Sequence, residues 1–346
     1  MKMLSTYICN ALSIFYFLRG VSEVKSLSAT PKVQPPSKTP DVLRSFVFGD
    51  EARCWEVLSP SDSMDLEEEE EDEVEYWYPT TKRYFEFSIP HSSSSSSSQS
   101  IQSISTIMTR QTSFGCGKLG YELWDASMAL CLHLGQQPSL VRGKRVLELG
   151  AGCGLPSVVC RDLLQADAIL ATDFWQKEDD TFDGDRLVPT KFHGLNLEYN
   201  IVKNRGNENK NGDRVVETAV QRLDWHDRAS AVSARDSFRP DIIIGSDLMY
   251  YPMDIEPLLN VLETFLIGEG NDNKEESSSS SSEIKTRAVL VSALPPVERE
   301  ALPEFRSKLP VRFSATHAVT MNEMTLICED TDEDNPTFLM IDIIPK

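Results

Sequence analysis

Apolar positions along this chain fall into two periods, two and three-to-four, and their order predicts the architecture. Arg83 to Ile89, RYFEFSI, alternates large apolar side chains as a half-buried strand does. Ile101, Ile104 and Ile107 mark a second strand beyond the serine run Ser92 to Ser98, so the pair predicts a hairpin. Gly120 to Leu134 then sets Leu123, Trp124, Met128, Cys131 and Leu132 at helical spacing. Val146, Leu147 and Leu149 read as a buried strand, and Leu155 to Cys160 as a helix with Pro156 in its first turn. Between them stand three glycines at alternate positions, Gly150, Gly152 and Gly154.

The same alternation continues downstream. Ala168 to Asp173 is a short strand ending in an acid, Pro189 to Lys203 a helix, and Val215 to Leu223 a further strand. Asp241 to Ser246, DIIIGS, is a clear buried strand, followed by a helix from Pro257 to Leu266. Arg287 to Ser292 resumes the sheet, and Val311 to Val319 with Phe338 to Ile344 predict a closing antiparallel pair. Strands alternating with helices and ending in a hairpin define a three-layer α/β domain.

Charge and composition set the limits of that domain. The net charge of −20 over 346 residues argues against a nucleic-acid backbone as partner, since phosphate binding needs a basic footprint. Much of it is local, because Asp65 to Glu75 is nearly all acidic. That tract and the prolines between Thr30 and Pro40 place residues 1–75 outside the fold and the domain at 76–346, with serine-rich loops at 91–100 and 271–283. Near the start, Tyr7 to Leu18 is mostly apolar but too short to span a membrane. It reads as a weak signal or transit segment, which leaves organelle targeting open beside a cytoplasmic location. Seven cysteines without C-x-x-C spacing give neither a zinc site nor a disulfide framework and fit a reducing compartment; Cys153 and Cys160 read as small apolar residues.

Ligands of open α/β sheets bind beyond the carboxyl ends of the strands, so the polar residues there carry the chemistry. A glycine turn running into a helix lets a ligand lie against the backbone and meet unpaired N–H donors. The dinucleotide fingerprint wants glycines at its first, third and sixth places; here they fall at first, third and fifth, and Leu155 holds the sixth. Glu148, two residues before the first glycine, suits a cationic or amino-bearing ligand. Asp173 lies about twenty residues beyond the loop, where a carboxylate accepts ribose hydroxyls. Trp225 offers an aromatic plane for a base. Asn196 and Asn200, one helical turn apart, are placed to orient a strand-end loop.

The E-x-G-x-G-x-G loop is similar to that of class I S-adenosylmethionine-dependent methyltransferases. The wider set, Gly120 with Trp124, VLELGAGCGL, Ala171-Thr172-Asp173, NLEYN from Asn196, LDW from Leu223 and SDLMYYP from Ser246, resembles the protein methyltransferases called family 16. That resemblance runs from about Arg83 to Ile344. It implies a seven-stranded Rossmann-like sheet with an N-terminal hairpin extension, S-adenosylmethionine as cofactor, and the lysine of a protein substrate as acceptor, in a monomeric enzyme. It places Trp124, Glu148, Gly150, Gly152, Gly154, Asp173, Trp225 and Ser246 at the cofactor, and Asp247 and Tyr250 at the acceptor through the family's D-x-x-Y motif. Two departures stand out: a long insert between Asp173 and Asn196, and Cys153 where threonine is frequent.

Chemistry supports the D-x-x-Y reading independently. Methyl transfer needs an uncharged nitrogen held in line and water excluded. Asp247 at a strand end is placed to fix an approaching ammonium, and Tyr250 to narrow the pocket with its ring face. No histidine base is required, so His193, His226 and His317 read as structural or surface residues. Histidine, arginine or a small amine as acceptor, a binding module without turnover, and a nicotinamide oxidoreductase are the alternatives; intact loop and acceptor motifs weigh against the module, and the glycine spacing against the oxidoreductase.

Overall fold

The computed structural model describes residues 42–48, 52–57, 80–89, 103–112, 119–175, 194, 196–203, 216–267, 285–294, 299–328 and 335–346. The first thirty residues, the acidic tract, both serine-rich loops and the insert around residues 176–193 lie outside this set. A central sheet of seven strands runs in the order β10-β12-β9-β8-β5-β6-β7: His317–Thr325, Thr337–Pro345, Arg287–Ala293, Ile242–Ser246, Arg145–Leu149, Ala168–Asp173 and Glu217–Arg222. β5 to β9 pair parallel, and β12 runs antiparallel to both β9 and β10. The order reverses between β5 and β8, the switch point at which open α/β sheets bind ligands.

Residue alternation explains the layers. Val146, Ile242, Ile244, Val289 and Val291 join one core, while Leu147, Ile243, Ala288 and Leu290 join the other. Successive strand side chains point to opposite faces, so a run such as Ile242-Ile243-Ile244 must be covered on both. One face carries α1 (Asp125–Gln136), α2 (Leu155–Asp162) and a helical segment ending in a π-turn, Tyr199–Lys203. The other carries α3 (Arg228–Phe238), α4 (Ile255–Leu266) and α5 (Leu302–Phe313).

The N-terminal extension is larger than the pattern predicts. The expected hairpin is present as β3 (Thr80–Ile89) and β4 (Ser103–Thr112), paired in continuous register. It belongs to a five-stranded sheet, β11-β1-β2-β3-β4, that adds β1 (Val42–Phe48), β2 (Ala52–Val57) and the short β11 (Ile327–Cys328). The domain boundary expected at residue 76 is therefore corrected: the domain takes in residues from at least Val42. Phe46, Cys54, Phe85 and Phe87 are fully buried in the same core as α1. α1 explains why, because nine of its twelve residues are buried. A helix apolar on nearly all sides needs covering on both faces; α1 packs on β8 and β9 beneath and on β1, β2 and β3 above.

Two helices escape the sequence pattern. α3 is poor in large apolar residues but starts at Asp227, whose side chain accepts the Ala229 N–H at 3.0 Å. α5 holds Pro303 and Pro310 and extends over Val311, so the strand expected from Val311 begins instead at His317. No helix among the described residues is long and apolar enough to cross a membrane.

A corrected boundary has a direct test. Phe46→Ala empties a fully buried aromatic site and should cost about 3–5 kcal/mol in chemical denaturation. Removal of residues 1–75 should go further and abolish the cooperative transition, because it uncovers α1; a truncated chain as stable as the full one would return the boundary to residue 76.

Candidate functional site

The expected site residues converge at the carboxyl ends of β5, β6, β7 and β8. β5 ends in Leu149, and the chain turns through Gly150, Gly152 and Gly154, all with φ between 56° and 75°. At Gly150 a Cβ would come within 2.6 Å of Leu248 Cδ2 and 3.5 Å of the Trp225 ring. At Gly154 it would meet Ile201 Cδ1 at 2.7 Å and Leu197 Cδ1 at 2.8 Å. Left-handed φ and lack of space both demand glycine at these two positions. Trp225, from the loop after β7, thus lies beside the first glycine, as its placement at the cofactor requires.

Hydrogen bonds lock the loop to its neighbours. The Ala151 N–H donates to Thr172 O at 2.9 Å, and the Thr172 hydroxyl donates to Glu148 O at 2.7 Å. Asp173 closes β6 partly exposed; one carboxylate oxygen accepts the Gly152 N–H and the other the Phe174 N–H, both at 2.6 Å. This carboxylate is therefore set against the glycine backbone at the cleft.

Glu148 lies elsewhere than expected. It is fully buried, and Oε2 accepts the Ser157 N–H at 3.0 Å together with the Ser157 hydroxyl, at the start of α2. Oε1 has no hydrogen-bond partner among the described residues. The reading of Glu148 as an open acceptor for a ligand is corrected: it braces the loop from beneath. Burial raises its carboxyl to about 8, with the nearby Asp173 adding to the shift and the Ser157 bonds opposing it.

Asn196 and Asn200 do more than orient one loop. Asn200 faces the edge of β4: its Oδ1 accepts the Arg110 N–H at 2.9 Å and its Nδ2 donates to Arg110 O at 2.8 Å. The same Nδ2 donates to Cys153 O, in the glycine loop, at 2.9 Å. Asn196 Nδ2 reaches Arg110 O at 3.1 Å and its Oδ1 accepts from Arg110 Nε at 2.8 Å. A side-chain amide here imitates a strand and covers an edge that would otherwise be unpaired. Cys153 and Cys160 are buried free thiols, as their apolar reading expects, and burial pushes the Cys153 thiol up to about 12.

At the end of β8 the side chains are committed to internal partners. Ser246 Oγ lies 2.9 Å from Ser127 Oγ of α1, so its hydroxyl holds the strand end to the helix. Asp247 is buried with φ +56° and does not meet solvent as an ammonium-binding carboxylate. Its Oδ2 accepts from Arg299 Nη2 at 2.5 Å, and its Oδ1 accepts from the Ala293 N–H at 3.0 Å and Arg299 Nε at 3.3 Å. Direct capture of the acceptor ammonium by Asp247 is corrected accordingly. Arg299 was invisible in the sequence, being 52 residues away with no motif around it.

Tyr250 and Trp124 complete this wall. Their rings meet edge to face at 6.0 Å, and the Arg299 guanidinium carbon lies 4.1 Å from the Tyr250 centroid and 5.6 Å from that of Trp124. The buried Tyr250 Oη has no hydrogen-bond partner among the described residues. Burial, then the charge of Asp247, push its ionisation well above the ordinary phenol range, and Arg299 opposes this. Trp124 is the residue that caps the start of α1. It is held from the N-terminal sheet: Gln111 Oε1 accepts the Leu123 N–H at 3.1 Å, and Arg44 pairs with Asp125 at 3.2 Å. His226, left aside as structural, pairs with Asp254 at 2.8 Å on the exposed rim. His317 starts β10, away from these strand ends, and His193 lies outside the described residues.

Strand order, antiparallel last strand and glycine loop at the switch point together define the Rossmann-like fold of class I methyltransferases. The family whose sequence profile matches residues 103–181 is described as lysine methyltransferase, so the resemblance to family 16 drawn from the motifs is borne out. The chain is 29% identical over 146 residues to the human protein-lysine N-methyltransferase EEF2KMT, covering 42% of this chain and 40% of that one. It is 26% identical over 166 residues to the protein N-terminal and lysine N-methyltransferase EFM7 of Cryptococcus neoformans, covering 46% and 48%. With the zebrafish (Danio rerio) protein N-lysine methyltransferase METTL21A it shares 29% over 147 residues, covering 42% and 56%. The matched stretch thus spans about two fifths to just over half of these relatives. Among solved structures, a Pyrococcus horikoshii protein titled a putative RNA methyltransferase aligns at TM-score 0.36 and 16% identity, over 66% of this chain and 89% of that one.

Two outcomes follow from the geometry. Glu148 is protonated in the folded protein up to about pH 8, against a reference of 4.5 when exposed. Its favourable contribution is complete below about 4.5 and declines as pH rises through 8, because only the unfolded chain gains by releasing the proton. Glu148→Gln should flatten that decline in melting temperature between pH 5 and 9; an unchanged slope would mean the carboxyl is ionised. Asn200→Leu should cost roughly 2 kcal/mol or more, since it leaves Arg110 and Cys153 backbone groups unsatisfied, and urea denaturation measures this directly.

Proposed function

We propose that this chain is an S-adenosylmethionine-dependent methyltransferase acting on a lysine side chain of another protein. The observation that carries the reading is the carboxylate of Asp173, partly exposed at the sheet's switch point and held on the Gly152 N–H at 2.6 Å within the glycine turn that follows β5. At Gly152 a Cβ would meet nothing nearer than Gly120 O at 3.5 Å, so the backbone is less crowded there, while the Trp225 ring lies beside Gly150. The cofactor supplies an electrophilic methyl group on a sulfonium. Gly150 and Gly152 would hold its methionine portion against the backbone, Asp173 the ribose hydroxyls and Trp225 the base, while Trp124, Ser246 and Tyr250 line the side where the methyl is presented.

The protein's own residues do the remaining work. Tyr250 and Trp124 form an aromatic wall that excludes water and presents ring faces to an amine. Phe174 and Tyr251, half exposed, and Met253, largely exposed, follow these strand ends on the rim and offer apolar surface to a macromolecule. Relatives named as protein-lysine methyltransferases support the choice of acceptor.

Incubation of the purified chain with labelled S-adenosylmethionine and a cell extract, with mass spectrometry of the labelled band, tests acceptor and residue together. Gly150→Arg, strained by the left-handed φ and crowded by Leu248, should abolish cofactor binding in calorimetry, with circular dichroism checking how much of the fold it retains. Asp173→Ala should weaken it by about 1.5–3 kcal/mol, the worth of a charged hydrogen-bond pair. Affinity for S-adenosylmethionine that survives both changes, or tighter binding of a nicotinamide dinucleotide, would remove the basis of this reading.

A further inference from the structure

Among the described residues, Arg299 is the buried cation at the strand ends whose role the methyltransferase reading does not supply. It is 8% exposed and Asp247 7%, and their contacts are of the short, forked kind, with two guanidinium nitrogens on two carboxylate oxygens. A buried pair of this kind stabilises little by itself, because desolvation offsets the attraction. Packing Arg299 against both Tyr250 and Trp124 places the pair behind the aromatic wall of the acceptor side.

The charged and titratable groups around it come from each neighbouring element. β8 and the turn after it contribute Asp247, Tyr250 and Tyr251; the end of β9 contributes the Ala293 N–H; the start of α1 contributes the uncharged Trp124 and Ser127. Glu300, next to Arg299 in the chain, is exposed. Asp247 alone would present a full negative charge behind the ring of Tyr250 and favour an ammonium. Paired with Arg299 it does not, and the guanidinium sets positive charge over the same ring, 4.1 Å from its centroid. An ammonium gains nothing there, whereas a neutral amine loses nothing.

We infer that Arg299 is a positioning residue for the methyl acceptor: by neutralising Asp247 and bracing Tyr250 it makes the acceptor side admit the amine in its uncharged form. The inference rests on the methyltransferase reading and deepens it. The proton leaves the amine to solvent before the nitrogen seats, so no base in the site is needed. Asp247 acts on Arg299, and Arg299 acts through Tyr250.

Methyl transfer to the acceptor identified from extract, measured at sub-saturating acceptor from pH 6.5 to 10, tests it in three variants. Arg299→Gln should expose the charge of Asp247, retain ammonium in the site and move the acidic limb of the rate profile up by about one pH unit, roughly tenfold in rate below the limb. Asp247→Asn with Arg299→Gln should return the limb to its original position, because neither charge remains. Cofactor affinity by calorimetry should be unchanged throughout. A limb that stays in place in Arg299→Gln, or a double variant no closer to the parent than the single, would overturn the inference and leave the pair as a structural clamp. Should Arg299→Gln fold poorly, Arg299→Lys keeps the charge and must keep the limb while losing the forked contact. A parent protein that binds the cofactor but labels nothing would instead refute the proposed function.

Discussion

The glycine loop has to reverse the chain in a space that other side chains have already filled. Leu248 presses on Gly150 from the end of β8, and Leu197 and Ile201 press on Gly154 from the π-turned helix. A Cβ at either position would force those side-chain tips to move, and the left-handed φ of both already favours glycine. Leu248 follows Asp247, whose left-handed backbone is uncommon for a non-glycine residue. Ile201 follows Asn200, whose amide is spread between β4 and the loop itself. The glycine loop is thereby the junction of three otherwise separate parts: the β8 turn, the helix after the insert, and the N-terminal sheet.

That junction explains why an extension at the amino end of the chain matters at the carboxyl ends of the central strands. Arg83 makes a two-pronged ion pair with Glu56 at 2.7 and 2.8 Å, and its remaining nitrogen reaches Gln111 and the Leu123 carbonyl. Glu56 is itself buried, so losing Arg83 would strand a charge and cost several kcal/mol. The chain from Leu123 to Asp125 is thus held by three strands of the smaller sheet, and Trp124 stands in the middle of it. Packing and function meet in these three residues: what covers the second face of α1 also fixes the aromatic wall.

How much of this was legible in the sequence depends on the range of the interactions concerned. β6 and β8 announce themselves because each is a short apolar run ended by a polar residue, and the predicted Ala168 to Asp173 strand matches β6 end to end. Asp173, Trp225 and the glycines came together as expected, since their positions follow from strand ends alone. β1 and β2 did not show, because the prolines before them and the acidic tract after them outweigh two short strands whose apolar residues make sense only against α1. α3 and α5 were hidden by weak apolar spacing and by prolines. The partners of Glu148 and Asp247 could not be read either. Local pattern places a carboxylate at a strand end, but whether it faces the cleft or a buried serine or arginine is decided by residues far along the chain.

Those partners resolve an electrostatic difficulty in the site. Three carboxylates, Glu148, Asp173 and Asp247, stand at the ends of β5, β6 and β8, which neighbour one another in the sheet. Like charges so placed disfavour common ionisation, and the proximity of Asp173 is one cause of the raised ionisation of Glu148. The fold neutralises two of them by different means. Glu148 keeps its proton and leans on the start of α2, while Asp247 takes a guanidinium. Of the three, only Asp173 remains partly exposed, with both oxygens accepting from backbone N–H groups. A chain with a net charge of −20 thus leaves one of these three carboxylates partly exposed at the strand ends. Under the proposed function that one carboxylate is the partner for the ribose hydroxyls, and the acceptor amine meets an aromatic wall in place of a second bare charge.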